Sequence, residues 1–266
     1  MDTDVQKLPI FTSARWDGSR GWIEESASRE DLNALVYRYQ FVLRSAGLAP
    51  GDRAVIFLAS PLDTLGLKLA LESVGAVAIV VEKGTKPLQL IKMLRVLRPR
   101  VLATSRSNQR WAWPLQIPLR FSIGESGFGA IDLKSKFPGV IRAPAVLRFQ
   151  VPAEDQIELV WAEADAFENL NLGVRTVLPA NHGEEFEPAT ILDQIWRHGI
   201  THLRAPAHAV EKIARYLHSR GLNLPSIRRI DLTGAAKLSP EMVRAVPFLF
   251  PRSEQAVNPN QQNTNT

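Results

Sequence analysis

The chain has 266 residues, 45% of them hydrophobic, enough to bury the core of one large or two small domains. It has no cysteine, which excludes disulfides, a thiolate metal site and a cysteine nucleophile; a formal net charge of +5 makes the surface mildly basic. No apolar run reaches the roughly 18 residues of a membrane span, and the opening residues MDTDVQKLPI are polar with no signal-like apolar stretch, so a cytoplasmic soluble protein is expected.

Residues 1–27 read as an opening segment holding Trp16-Asp-Gly and Trp22-Ile-Glu-Glu. Ser28 is then an N-cap with Asp31 three residues on, and apolar residues at Leu32, Leu35, Val36, Tyr39, Val42 and Leu43 predict a helix that stops at Gly47. Pro50-Gly51-Asp52 is a turn, and Arg53 to Leu58 is a short apolar run of buried-strand type. A helix over Pro61–Val74, a buried strand over Ala76–Val81, a helix from Pro87 to Leu97 and a strand over Val101–Thr104 follow. Residues 105–150 are less periodic and predict a loop-rich connection, with edge strands around Leu119–Ile123 and Ala145–Gln150.

Further along, Gln156–Trp161 and Leu172–Leu178 predict strands, and Glu187–Trp196 a helix started by Pro188 and ended by Gly199. His202 and Leu203 close a strand, Ala207–Ser219 is a helix, Ile227–Thr233 a strand, and a short helix runs from Pro240 to about Ala245. After Arg252 the sequence SEQAVNPNQQNTNT is too polar to order by burial. Alternation of helix and strand over short connections predicts an α/β fold of layered, mostly parallel sheets flanked by helices. The expected organisation is a first α/β subdomain over 28–150, a second, shortened one over 151–250, and a disordered tail over 251–266.

Eight cations, Lys83, Lys86, Lys92, Arg95, Arg98, Arg100, Arg106 and Arg110, fall in a stretch without any acidic residue. The plain reading is a solvated helix face plus a basic loop; the alternative is a patch for a phosphate-rich ligand such as a nucleotide, coenzyme A, nucleic acid or anionic lipid. No aromatic residue interrupts it before Trp111, so single-stranded nucleic acid is not the expected partner. His198 and His202 are four apart, but Gly199 and Ile200-Thr201 break any helix between them, so no metal site is expected there. Glu184, Glu185 and Glu187 beside His182 read as a helix N-terminal charge cluster, with a hard cation as the alternative. Gly124, Gly127 and Gly129 lack the strand-to-helix setting of a dinucleotide fingerprint.

Glu30–Asn33, LRSAGLAPGDRAVIFLASP, LALESVGAVAIVVEKGTKP, LIKMLRVLRPRVLATS and the stretch from RHGITH to LTGAAKLSP resemble, in that order, the adenylate-forming superfamily of acyl-CoA synthetases, fatty-acyl-AMP ligases and peptide-synthetase adenylation domains. Glu30-Asp-Leu-Asn33 is similar to the family's opening "xELN", and LRSAGLAPGDRAVIFLASP to its helix, "PGDRV" turn and first strand. LALESVGAVAIVVEKGTKP resembles "LAxLKAGAVxVPLDP", and LIKMLRVLRPRVLATS the helix and strand after it. RHGITH, an Arg-Ala-Pro turn, a helix and LTGAAKLSP resemble the branch of long-chain acyl ligases and β-lactone synthetases. The likeness covers residues 28–105 and 170–247, the N-terminal part of the family, and implies the fold of an AMP-binding ligase.

The family reaction converts a carboxylate and ATP to acyl-AMP and pyrophosphate, and the resemblance makes Thr233, Gly234, Ala235, Ala236 and Lys237 a candidate adenine loop. A plain tight turn after a strand is the alternative for those five. A triphosphate needs a backbone nest rich in Ser, Thr and Gly after the strand Gln156–Trp161, yet Ala162-Glu163-Ala164-Asp165 stands there, with two carboxylates that repel phosphate. The family's next helix is expected to be absent, the chain passing directly to NLGVRTVLPA. The Tyr-Gly-x-Thr-Glu motif, the ribose-binding Asp and the mobile C-terminal domain are not found after Pro251. ATP or AMP is therefore expected to bind weakly, Mg²⁺ is not expected, and no residue is assigned a catalytic role. Four readings stay open: a degenerate ligase inactive alone, a non-catalytic interaction module, a phosphate-rich-ligand binder at 83–110, and a relic of deletion or frameshift. A complementing subunit or partner protein would suit the first two.

Overall fold

The computed structural model of the protein describes residues 9–17, 21–82, 84–124, 127, 129–134, 156–180 and 186–256. The chain divides into two compact units, one over 27–148 and the other joining 9–26 to 149–266. In chain order the elements are β1 (Pro9–Asp17), β2 (Gly21–Ser28), α1 (Arg29–Ser45), β3 (Arg53–Phe57), α2 (Pro61–Ser73) and β4 (Val77–Val80). Then come α3 (Pro87–Leu97), β5 (Val101–Thr104), α4 (Arg106–Ala112), β6 (Leu119–Ser122), β7 (Ile131–Asp132) and β8 (Ile157–Val160). The chain continues through α5 (Glu163–Asn171), β9 (Arg175–Val177), α6 (Pro188–His198), β10 (His202–Pro206), α7 (Ala207–Arg220), β11 (Arg229–Thr233), α8 (Pro240–Leu249) and β12 (Glu254–Ala256). No helix among the described residues is long and apolar enough to cross a membrane.

The first unit is built on a parallel five-stranded sheet in the order β4-β3-β5-β6-β7. Ser28 and Asp31 form the expected capping box of α1, each side chain accepting from the other's backbone N–H. Val55 and Leu102, partners in register, pack with Leu90 and Leu94 of α3. Their neighbours Ala54, Ile56, Val101 and Ala103 point to the opposite face and are equally buried, as a sheet covered on both sides requires. Two expectations change here. Ala76–Val81 was to be a buried strand, but β4 is the sheet's edge and its residues are half-exposed or exposed. Leu119–Ile123 was to be an edge strand, but β6 is interior because β7 pairs outside it, and α4 fills part of the supposed loop. The strand expected over Ala145–Gln150 lies outside the described residues.

The second unit carries a seven-stranded sheet, β12-β11-β10-β8-β9-β1-β2. The opening segment is thus not a mere lead-in: β1 pairs in parallel with β9, Phe11 against Thr176 and Thr12 against Val177. Nor does polarity leave all of 251–266 without structure, because Glu254–Ala256 pairs with β11 through backbone bonds that need no apolar side chain; 257–266 lie outside the described residues. Leu159, Val177, Leu203, Ala205 and Ile230 line one face of this sheet and pack with Ile191, Ile195, Ile213 and Val246 of α6, α7 and α8. The alternate residues, Glu158 and Thr176 among them, point to the other face, where Asn169 of α5 donates to Glu158 at 2.9 Å.

One polar cluster ties β2 to α6. Glu24 accepts from Arg197 at 3.2 Å and from Gln194 at 3.4 Å, and shares a hydrogen bond with His198 at 2.9 Å. Partial burial alone would raise the Glu24 carboxyl, but His198, Gln194 and Arg197 more than offset that and leave it below its ordinary 4.5. A carboxylate with a depressed folded pKa contributes stability above its unfolded value and loses it as pH falls through the folded value. Glu24→Gln should therefore cost about 1 kcal/mol at pH 7, or roughly 3 °C in Tm. Thermal melts across pH should show that difference shrinking below about pH 4.5.

Candidate functional site

In a parallel sheet, ligands bind outside the carboxyl ends of the strands, where the strand order reverses and successive crossover helices leave toward opposite faces. The second unit reverses once around β8. From β8 the chain steps through α5 to β9, then back through α6 to β10 on the other side of β8. The edge at that point consists of Trp161-Ala162 after β8, Ala207-His208 after β10 and, one strand out, the loop after β11.

That last loop holds the five sequence-predicted residues. Thr233 ends β11 and is half-buried, and Gly234, Ala235, Ala236 and Lys237 are all exposed. Gly234 has φ +79°, a left-handed backbone that favours glycine, and a Cβ built there meets nothing within 4 Å, so the loop borders open space. Beyond it, the Ser239 N–H donates to Glu211 Oε1 at 2.6 Å, pinning the start of α8 to α7. The structure brings these five together at the carboxyl edge, as a βα connection must.

Sequence reasoning missed the charges behind this edge. The expected Arg-Ala-Pro turn is instead the second half of β10, five of whose residues pair in register with β11 from His202–Arg229 to Pro206–Thr233. Arg204 consequently projects from a central strand. Its Nε lies 2.8 Å from Glu158 Oε1 in an ion pair. Its Nη1 lies 3.2 Å from Glu168 and 3.8 Å from Asp165. Glu158 is 2% exposed. Burial raises its carboxyl above the ordinary range, against the pull of Arg204 and Asn169. Asp165 is raised too, by burial first and by Glu168 second, with Arg204 opposing. The available signal was Glu158 itself, a charge inside the otherwise apolar run ILVW of a central strand, which demands a buried counter-ion.

The segment expected to be a carboxylate-bearing loop is likewise a helix. Only Trp161 and Ala162 separate β8 from α5, and Glu163 and Asp165 sit in its first turn. Acidic side chains there are favourable to the helix dipole, which is why the sequence folds so. The chain reaches NLGVRTVLPA through α5 rather than through a loop. Of the remaining candidates, Glu187 stands at the start of α6 without a side-chain cap, and His198 is taken up by Glu24. His202 shares a hydrogen bond with Thr201 Oγ1 at 2.8 Å; burial, then Arg229, lower its pKa. His182, Glu184 and Glu185 lie outside the described residues. Burial of Glu158 makes Arg204→Met costly, by about 3–5 kcal/mol at neutral pH, because a carboxylate is left without its cation. Denaturant titration should show that loss, and show it shrinking in acid as the raised Glu158 carboxyl takes up a proton; Arg204→Met/Glu158→Gln should recover part of it.

No protein-family profile matches the chain. An acetyl-coenzyme A synthetase of Magnetococcus marinus is 24% identical over 163 residues, which are 61% of this chain and 23% of that protein. The acyl-CoA synthetase of Brucella canis shares the fold with a TM-score of 0.73 at 17% identity, over 94% of this chain and 54% of that one. The amide bond synthetase McbA of Marinactinospora thermotolerans does so with a TM-score of 0.72 at 18% identity, over 95% and 57%. The chain spans about a quarter of the length of its curated relative and just over half of these structures, in agreement with the likeness to an N-terminal part. Sequence likeness and fold together support the resemblance to the N-terminal part of the adenylate-forming superfamily.

Proposed function

We propose that the chain is an acyl-CoA synthetase-like protein that keeps an adenine-facing loop at Thr233–Lys237 and does not form an acyl-adenylate by itself. The observation that carries this reading is the two-residue connection between β8 and α5. A triphosphate cradle needs several successive backbone N–H groups turned inward around small residues. The connection leads straight into the first turn of α5, where Glu163 and Asp165 put negative charge, and like charge repels phosphate. The loop after β11 has no such obstacle: it is small, exposed and open at Gly234. The substrate class of the resemblance, a fatty or other carboxylic acid, belongs to the same proposal. Mg²⁺ has no role in it, and a complementing subunit would have to supply the phosphate chemistry.

A second reading is favoured by α8, the helix after the loop, where Val243 and Phe248 are exposed, Phe248 at 79%. Apolar area of that kind suits a non-catalytic module that docks a partner protein.

Calorimetric titration with a non-hydrolysable acyl-adenylate analogue separates the two. The nucleotide reading expects weak saturable binding, independent of Mg²⁺ and lost in Gly234→Trp, together with no pyrophosphate release from ATP and any carboxylate. No heat at saturating analogue from a folded chain removes the adenine loop and leaves the docking module. Robust pyrophosphate release would refute the claim of inactivity.

A further inference from the structure

Helix α3 packs by a narrow stripe. Leu90 and Leu94 are buried, with Met93 and Leu97 partly so, against Val55, Leu102 and Ile117. At 3.6 residues per turn the opposite side carries Leu88, Lys92, Arg95 and Val96, all exposed. Leu88 is 74% and Val96 81% exposed, so this side of the helix presents aliphatic tips together with its cations. They stand eight residues apart, roughly 12 Å along the axis, on either side of the two cations. Lys86 just before the helix and Arg98 just after it, the latter with a left-handed backbone at φ 45°, are exposed as well. None of these four cations has a carboxylate within ion-pair distance among the described residues. Arg100, by contrast, is engaged by Asp52 at 3.2 Å.

We propose that this outward face of α3 docks on an anionic lipid surface. Charge fixes the sign of the partner: four cations and no acidic residue from Lys86 to Arg98. The two aliphatic side chains fix its kind. A phosphate backbone offers Leu88 and Val96 nothing to bury against, and no aromatic residue on the helix could stack on a base. A bilayer boundary accepts both at once, aliphatic tips below the headgroups and cations level with the phosphates. The helix would lie flat on the surface, since its ridge of Leu88, Lys92, Arg95 and Val96 runs along the axis. With only two apolar residues the docking is reversible and salt-sensitive, each cation contributing about a five-fold gain in partition. This reading is independent of the adenine loop.

Flotation of the full chain with vesicles tests it. Vesicles of phosphatidylcholine with a third of phosphatidylglycerol should carry the protein at low salt, and pure phosphatidylcholine should not. Lys92→Gln/Arg95→Gln should lower the partition coefficient by roughly 25-fold. Leu88→Ser/Val96→Ser, changing only exposed side chains, should lower it severalfold while leaving the thermal melt unchanged. Equal flotation with both lipids, or none with either, overturns the proposal. So does flotation that ignores the Leu88/Val96 pair, which would mean diffuse attraction of a basic protein. Binding to soluble polyglutamate in preference to vesicles would transfer the face to an acidic protein partner and overturn the lipid surface.

Discussion

A parallel strand can be rejoined only by a crossover, and crossovers have one hand, so the direction in which the chain steps along the sheet decides which face each helix covers. In the second unit the chain steps from β8 one way to β9 and then back past β8 to β10. Helix α5 is thereby sent to one face and α6 to the other. The apolar residues of the strands follow, with Leu159, Leu203 and Ile230 turned toward α6, α7 and α8. Glu158 and Asn169 are left to face each other beneath α5. The open edge between β8 and β10, and the glycine loop beside it, are consequences of that single reversal.

The polar side of the sheet shows how local stability and ligand chemistry pull apart. Three carboxylates gather around Arg204, and two acidic residues occupy the first turn of α5. Each choice suits its immediate surroundings, an ion pair inside a strand ladder and negative charge at a helix start. Together they make the edge next to β8 negative, the wrong sign for a nucleotide's phosphates. The edge next to β11 keeps Lys237 exposed and carries no acidic residue between Thr233 and Ser239.

Where the sequence repeats a strong period it predicts the structure well, and where pairing partners are distant it does not. The capped helix from Arg29, the Pro-started helices at Pro61, Pro87 and Pro188, and the glycine ending α6 are local signals and stand where expected. β12 and the opening strands escape because their order comes from backbone pairing with strands elsewhere in the chain, which composition does not record. Arg204 misled for the same reason: in an Arg-Ala-Pro triplet its charge suggests a turn until Glu158 is known to lie beneath it. The turn after β11 was legible because a strand followed by small residues is itself a local pattern; the adenine role of its five residues came from the resemblance and is a matter for titration.

The pairing of β1 with β9 has a consequence for how the chain reaches this fold. Arg175 donates to the Pro9 carbonyl across 166 positions, and residues 27–148 of the first unit lie in sequence between the two. On the ribosome, residues 27–148 emerge and can collapse while β1 still waits for the strand it must join. A loop that long delays closure, since the search grows with sequence separation even though its entropic cost rises only logarithmically. Capture of β1 and β2 can begin only after β9 has emerged. Until it is complete, β9 offers an unpaired ladder at which another copy could pair.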